Sequence, residues 1–189
     1  MKSKTKQMVG VGIFTAIVIV LQLLGGGIKV GSLFSITLVL LPIVVGSAVY
    51  NWKAGAWLGL TFGVTVLLTG DAGAFMTINV PATIAVVLLK GVLCGFCAGF
   101  TYKLLSKVQS TVAVIAAAIV CPIVNTGVFM LGCYLFFLPD ISKWAIDAGY
   151  ADASAYILYG LIGINFLVEL GTNIVLSPVI VRLIRIGRK

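Results

Sequence analysis

Apolar residues in this chain run in long blocks separated by short polar stretches. They neither alternate, as in a half-buried strand, nor recur every third or fourth position, as on a surface helix. Crossing about 30 Å of hydrocarbon at a rise of about 1.5 Å per residue takes roughly 20 apolar residues. Six blocks approach that length: Met8–Leu24, Leu33–Val49, Ala54–Thr69, Pro81–Tyr102, Thr111–Leu138 and Ala153–Ile184. The second and third are short, and the last two are long enough to tilt or to extend past the bilayer. Glycines, prolines and charges gather at 25–27, 51–53, 70–80, 103–110 and 139–152, which places the loops. The pattern predicts an all-α membrane protein, a bundle of about six transmembrane helices, with residues 1–189 forming a single integral membrane domain.

Composition removes the alternatives. The chain is 61% hydrophobic and 10% charged, with a mean hydropathy of +1.20, far from the roughly half apolar and quarter charged make-up of soluble domains. A formal charge of +8 would suggest nucleic acid if it formed one patch, but the basic residues sit at helix ends. With the N-terminus inside, Lys2, Lys4, Lys6, Lys53, Lys103, Lys107, Arg182, Arg185, Arg188 and Lys189 all fall on the inner face. Only Lys29 and Lys143 fall outside, and Lys90 lies within a span. Cytoplasmic loops retain Lys and Arg, so both termini are expected on the cytoplasmic side of a bacterial-type plasma membrane. The basic girdle then faces inner-leaflet lipid, and no nucleic-acid partner is expected. Asp71, Asp140, Asp147 and Asp152 fall outside in the same arrangement. The first block follows Lys2, Lys4 and Lys6 but is long and lacks a small-x-small cleavage site, so it reads as a span rather than a removed signal.

Cys94, Cys97, Cys121 and Cys133 all lie inside apolar blocks rather than in loops, where a disulfide framework would be expected. Cys94-x-x-Cys97 matches a redox or metal spacing, but the chain has no histidine and packing is the favoured role. There is no nucleotide-binding glycine loop, no histidine metal motif and no nucleophile–base pair. These absences argue against an enzyme or a self-powered pump, and no cofactor or metal is expected.

An ionisable side chain inside a span costs at least a few kcal/mol and calls for a partner or a function. Lys90, about 13 Å along its helix from Pro81, and Glu169 both qualify, as structural ions or as substrate contacts. Glu169 shares a four-residue stripe with Asn165 and Asn173, with Thr172 nearby. Glu169 and Asn173 suit interhelical glue better, and Asn165, nearer the outer face, suits a ligand. Asn125 follows Cys121-Pro122, where a kink beside an amide could open a pocket, or where Asn125 or Thr126 could satisfy the carbonyl freed by the proline. Outside, Asp71, Phe75 and Asn79 lie in one loop, and Trp144, Tyr150, Tyr156 and Tyr159 gather near another, as an interfacial belt or as stacking surfaces.

Small residues recur as Gly12-x-x-x-Ala16, as Gly55-x-x-x-Gly59-x-x-x-Gly63 and as Gly91-x-x-x-Gly95-x-x-x-Gly99. They permit close helix approach within the fold or with another subunit. Taken with the opening Met8-Val9-Gly10-Val11-Gly12-Ile13-Phe14-Thr15-Ala16, with Leu41-Pro42-Ile43-Val44-Val45-Gly46 and with Lys53-Ala54-Gly55-Ala56-Trp57-Leu58-Gly59-Leu60-Thr61-Phe62-Gly63, the chain resembles the substrate-binding S-component of energy-coupling factor (ECF) transporters, the vitamin-uptake branch of the ABC systems. The resemblance covers nearly the whole chain. It implies capture of a small vitamin-like solute from outside and delivery to a membrane scaffold subunit and two ATPase subunits. The family's first-helix Ala-x-x-x-Ala, which meets the scaffold, corresponds to Gly12 and Ala16, with glycine in place of the first alanine. By position the resemblance points to Asp71, Asn79, Lys90, Asn125, Trp144, Tyr156 and Asn165 as substrate-binding residues. The alternative is a stand-alone secondary transporter using Glu169 for ion or proton coupling.

Overall fold

The computed structural model describes residues 4–25 and 38–187, and every regular element among them is helical. The first block forms α1 (Lys4–Gly25). Of the second, the described part is α2 (Leu40–Val49), whose ten residues are buried almost throughout, while Lys29 and the predicted start at Leu33 lie outside the described residues. Then come α3 (Trp52–Thr69), the single turn α4 (Gly73–Met76) and α5 (Val80–Leu105). Four helical stretches among the described residues are long and apolar enough to cross a membrane: Lys4–Gly25, Val80–Leu105, Ser110–Asp147 and Ala153–Val175. The protein is an all-α membrane protein. Its helix α3, at 18 residues, is also of spanning length but dilutes its apolar side chains with glycine and threonine.

Local chemistry sets the boundaries. Asn51 and Asn79, in extended conformation, cap α3 and α5 by accepting hydrogen bonds from the backbone N–H of Ala54 (2.9 Å) and Ala82 (3.1 Å). Gly70, at φ 78°, ends α3 in the left-handed region that favours glycine.

The fifth block differs from expectation. Helix α6 (Ser110–Gly132) passes through a π-helical stretch, Cys133–Phe137, into α7 (Leu138–Asp147), so most of the predicted 139–152 loop is helix. Pro139 lacks an N–H and its ring crowds the carbonyl four residues back, which widens the ladder just before it instead of ending it. Ile141 and Ala145, one turn apart, then bury a stripe that holds α7 down. A second π-helical stretch, Tyr156–Gly163, joins the short α8 (Ala153–Ala155) to α9 (Ile164–Val175). The predicted last span does not run on to Ile184: it breaks at Leu176, ahead of Ser177-Pro178, and α10 (Ser177–Gly187) begins there.

The two glycine triplets meet each other. In the antiparallel pair of α3 and α5, a Cβ added to Gly55 would strike the Gly95 carbonyl, and one added to Gly59 would strike that of Gly91. Backbones therefore touch along the seam, and lost side-chain packing is replaced by main-chain contact. Around the seam the apolar interior divides in two. One core gathers Val18, Ile43, Leu58, Cys94, Ala117, Cys121 and Ile184. The other gathers Phe75, Phe137, Ile141, Ile157 and Leu161 near the 70–79 and 148–152 turns. The cysteines are free thiols; Cys94, Cys121 and Cys133 are buried in these cores.

Candidate functional site

Between the two cores lies a cavity of about 120 Å³. It opens in the half of the bundle that carries the turn after α3 and the end of α7. Its polar lining comes from five places in the chain: Gln22 near the end of α1, Asp71 after α3, Lys90 on α5, Asn125 and Thr126 on α6, and Asn165 and Glu169 on α9. Helical spacing explains the last pair, since residues four apart share a face. Phe62, Val86, Leu161 and Phe166 supply apolar wall.

The aromatic side of the cavity is organised by Phe75. From its single helical turn, the ring meets Phe137 (5.1 Å between centroids), Phe129 and Trp144 (5.5 Å each), all edge-to-face, contacts worth about 0.5–1.5 kcal/mol apiece beyond their buried area. Phe129 also serves Lys90. The Lys90 ammonium stands 5.4 Å from the Phe129 ring centre and 5.6 Å from that of Phe62, and among the described residues it makes no ion pair. Glu169 and Asp71 act on it through space only. A cation between two ring faces keeps part of its stabilisation without spending its N–H donors.

Each carboxylate at the site is served by amides. The Gln22 side chain, buried in α1, donates to Asp71 Oδ2 at 2.6 Å, and Thr69 donates to the same oxygen at 2.9 Å. Asn125 and Asn165 lie beside the Glu169 carboxylate. Below it, Asn173 donates to the Glu169 backbone carbonyl at 2.7 Å, a bond within α9 rather than the interhelical one expected. Asn125 and Thr126 face the cavity rather than the carbonyl that Pro122 leaves free.

Of the residues singled out from the sequence, Asp71, Lys90, Asn125, Trp144 and Asn165 come together in the lining. Asn79 does not, because its side chain is committed to capping α5. Tyr156 does not either: it is buried against Tyr150, ring centroids 5.1 Å apart, in the second core. Glu169, weighed more as glue than as contact, does line the cavity. Sequence reasoning passed over Gln22, whose signal was an amide in the otherwise apolar second half of the first block. It also passed over Phe62, Phe129 and Phe166, which nothing in a hydrophobic run distinguishes from lipid-facing phenylalanines. Gly12 and Ala16 are exposed on α1 with no neighbour over Gly12, in a surface shared with Met8, Val9, Ile13 and Val20.

Comparison with known proteins gives a consistent picture. Residues 6–181 match the family model described as "ECF transporter, substrate-specific component". The chain is 26% identical over 196 residues to the pantothenic acid transporter PanT of Lactococcus lactis subsp. cremoris (strain MG1363), covering 95% of this chain and 94% of that protein. No solved structure matches it.

Proposed function

The chain belongs to the family of ECF transporter substrate-specific components, and on that premise we propose that it captures a small, anionic, vitamin-like solute at the outer face of the cell membrane. The solute passes unchanged to a scaffold subunit and two ATPase subunits, and the exposed Gly12–Ala16 face of α1 is the docking surface. Both termini are cytoplasmic in this reading, which the charge distribution supports. The likeness to a pantothenic acid transporter makes pantothenate the first solute to test.

The observation that carries the reading is Lys90. A cation that makes no ion pair among the described residues lines a polar-floored cavity, at membrane depth, held by the faces of two phenylalanines. A carboxylate entering the cavity supplies the charge-assisted hydrogen bond that the protein leaves unmade. A neutral solute leaves the ammonium unpaired at a cost of a few kcal/mol.

Calorimetric titration of the purified chain with pantothenate tests this. Binding is expected, and Lys90→Met should weaken it about tenfold or more, at about 1.4 kcal/mol per decade, with little change in thermal stability. Unchanged affinity in that variant, or collapse of the fold, removes Lys90 as the anion contact. Uptake that depends on co-expressed scaffold and ATPase subunits is expected; full uptake by the chain alone would favour a stand-alone transporter instead.

A further inference from the structure

Among the described residues, five buried side-chain oxygens lack any hydrogen-bond partner: Gln22 Oε1, Asn125 Oδ1, Asn165 Oδ1, Glu169 Oε2 and Asn173 Oδ1. Four of these belong to residues that line the cavity. Unpartnered buried polar atoms are uncommon in native proteins, and their convergence on one place asks for a cause. All of them are acceptors.

The cause lies in how the amides are used. Gln22 gives its NH₂ to Asp71, and Asn125 and Asn165 turn theirs toward Glu169. Those commitments fix which way each amide faces and leave its oxygen over. Three amides therefore turn their NH₂ groups to two carboxylates, and their oxygens are left in the cavity lining with no partner. Against those oxygens stands one cation, Lys90, already flanked by Phe62 and Phe129 rather than by an acid.

We propose that the cavity reads a bipolar solute: an anionic group on Lys90, and at least two hydroxyl or amide N–H donors turned toward Asn125, Asn165 and Glu169. This rests on the reading that the cavity holds the transported solute. Charge fixes the orientation. An anion placed beside Asn125, Asn165 and Glu169 meets oxygens that have no partner, whereas a hydroxyl there donates to them; at Lys90 the preference reverses. The donor-seeking floor also sets specificity, because a site built to bond a hydroxyl rejects the analogue that lacks it by leaving its own groups unpaired. An unbranched fatty acid or a simple keto acid meets Lys90 and nothing else.

Calorimetric titration of the full chain in lipid nanodiscs with three probes tests the proposal: pantothenate, pantothenol, in which a primary alcohol replaces the carboxylate, and the pantothenate analogue with both hydroxyls replaced by hydrogen. Pantothenol should bind at least about tenfold more weakly than pantothenate, and the analogue without hydroxyls about a hundredfold more weakly. Glu169→Gln should reduce the second discrimination and keep the first, and Asn165→Leu should do the same where Glu169→Gln does not fold. Lys90→Met should do the opposite. Equal binding of pantothenate and the analogue without hydroxyls overturns the inference while leaving the anion reading intact. Pantothenate failing to bind the unmodified chain overturns the choice of solute, and the inference with it.

Discussion

At the scale of single residues, the informative positions were those that break an apolar run. Lys90 and Glu169 stood out in the sequence because an ion in hydrocarbon needs a reason, and both reach the cavity. Asn79 and Tyr156 lie outside the lining, because an amide and a phenol near a loop have ordinary uses: one caps a helix and the other packs against a neighbouring ring. No sequence rule separates those uses from ligand contact, since both place the same groups at the same depth. Gln22 has a measurable role of its own. Its buried amide donates to Asp71, its one hydrogen-bond partner among the described residues, so Asp71→Ala should destabilise the protein by about 1–3 kcal/mol, the cost of a buried donor left unpaired. Adding Gln22→Leu should recover part of that loss. A double-mutant cycle by thermal unfolding in detergent checks it, and strictly additive losses would mean that the pair is not coupled.

At the scale of helices, the same small-residue spacing has two destinations, and spacing alone does not say which. The triplets of α3 and α5 close on each other, while Gly12 and Ala16 face outward with nothing over Gly12. Substitution separates them by sign. Gly59→Ala and Gly91→Ala each push a methyl into the opposing carbonyl and should destabilise by about 1–3 kcal/mol. Gly12→Ala should be neutral or slightly stabilising, because an exposed helical glycine gains about 0.5–1 kcal/mol from that change. Melting temperatures of the three variants decide it. If the α1 face docks a partner, Gly12→Leu with Ala16→Leu should abolish uptake and leave solute affinity unchanged. Undiminished uptake at normal expression would assign that face to lipid alone. The predicted loop at 139–152 became helix for a related reason: proline and charge suggested a break, but Ile141 and Ala145 carry a buried stripe that outweighs them.

At the scale of the molecule, hydropathy made the all-α membrane fold legible before any contact was known, because each backbone group in lipid must be bonded within its own helix. The position of the cavity was not legible, since it depends on where two apolar cores fail to merge. The orientation expected from the basic residues can be measured directly. Asp147, at the end of α7, and Lys107, in the turn before α6, are both exposed and flank the α6–α7 helix at opposite ends. An impermeant maleimide should label Asp147→Cys on intact cells and Lys107→Cys only after permeabilisation; the reverse pattern would invert the topology. The two π-helical stretches, 133–137 and 156–163, contribute Phe137, Leu161 and Ile162 to the cavity wall. A π-turn accommodates about one residue more than the α-turn it replaces. Each stretch is thus a length change absorbed inside a membrane helix, with no loop to take it up. Gain or loss of a single residue there would consequently reshape the wall, while the glycine seam, intolerant of any such slip, keeps the rest of the bundle in register.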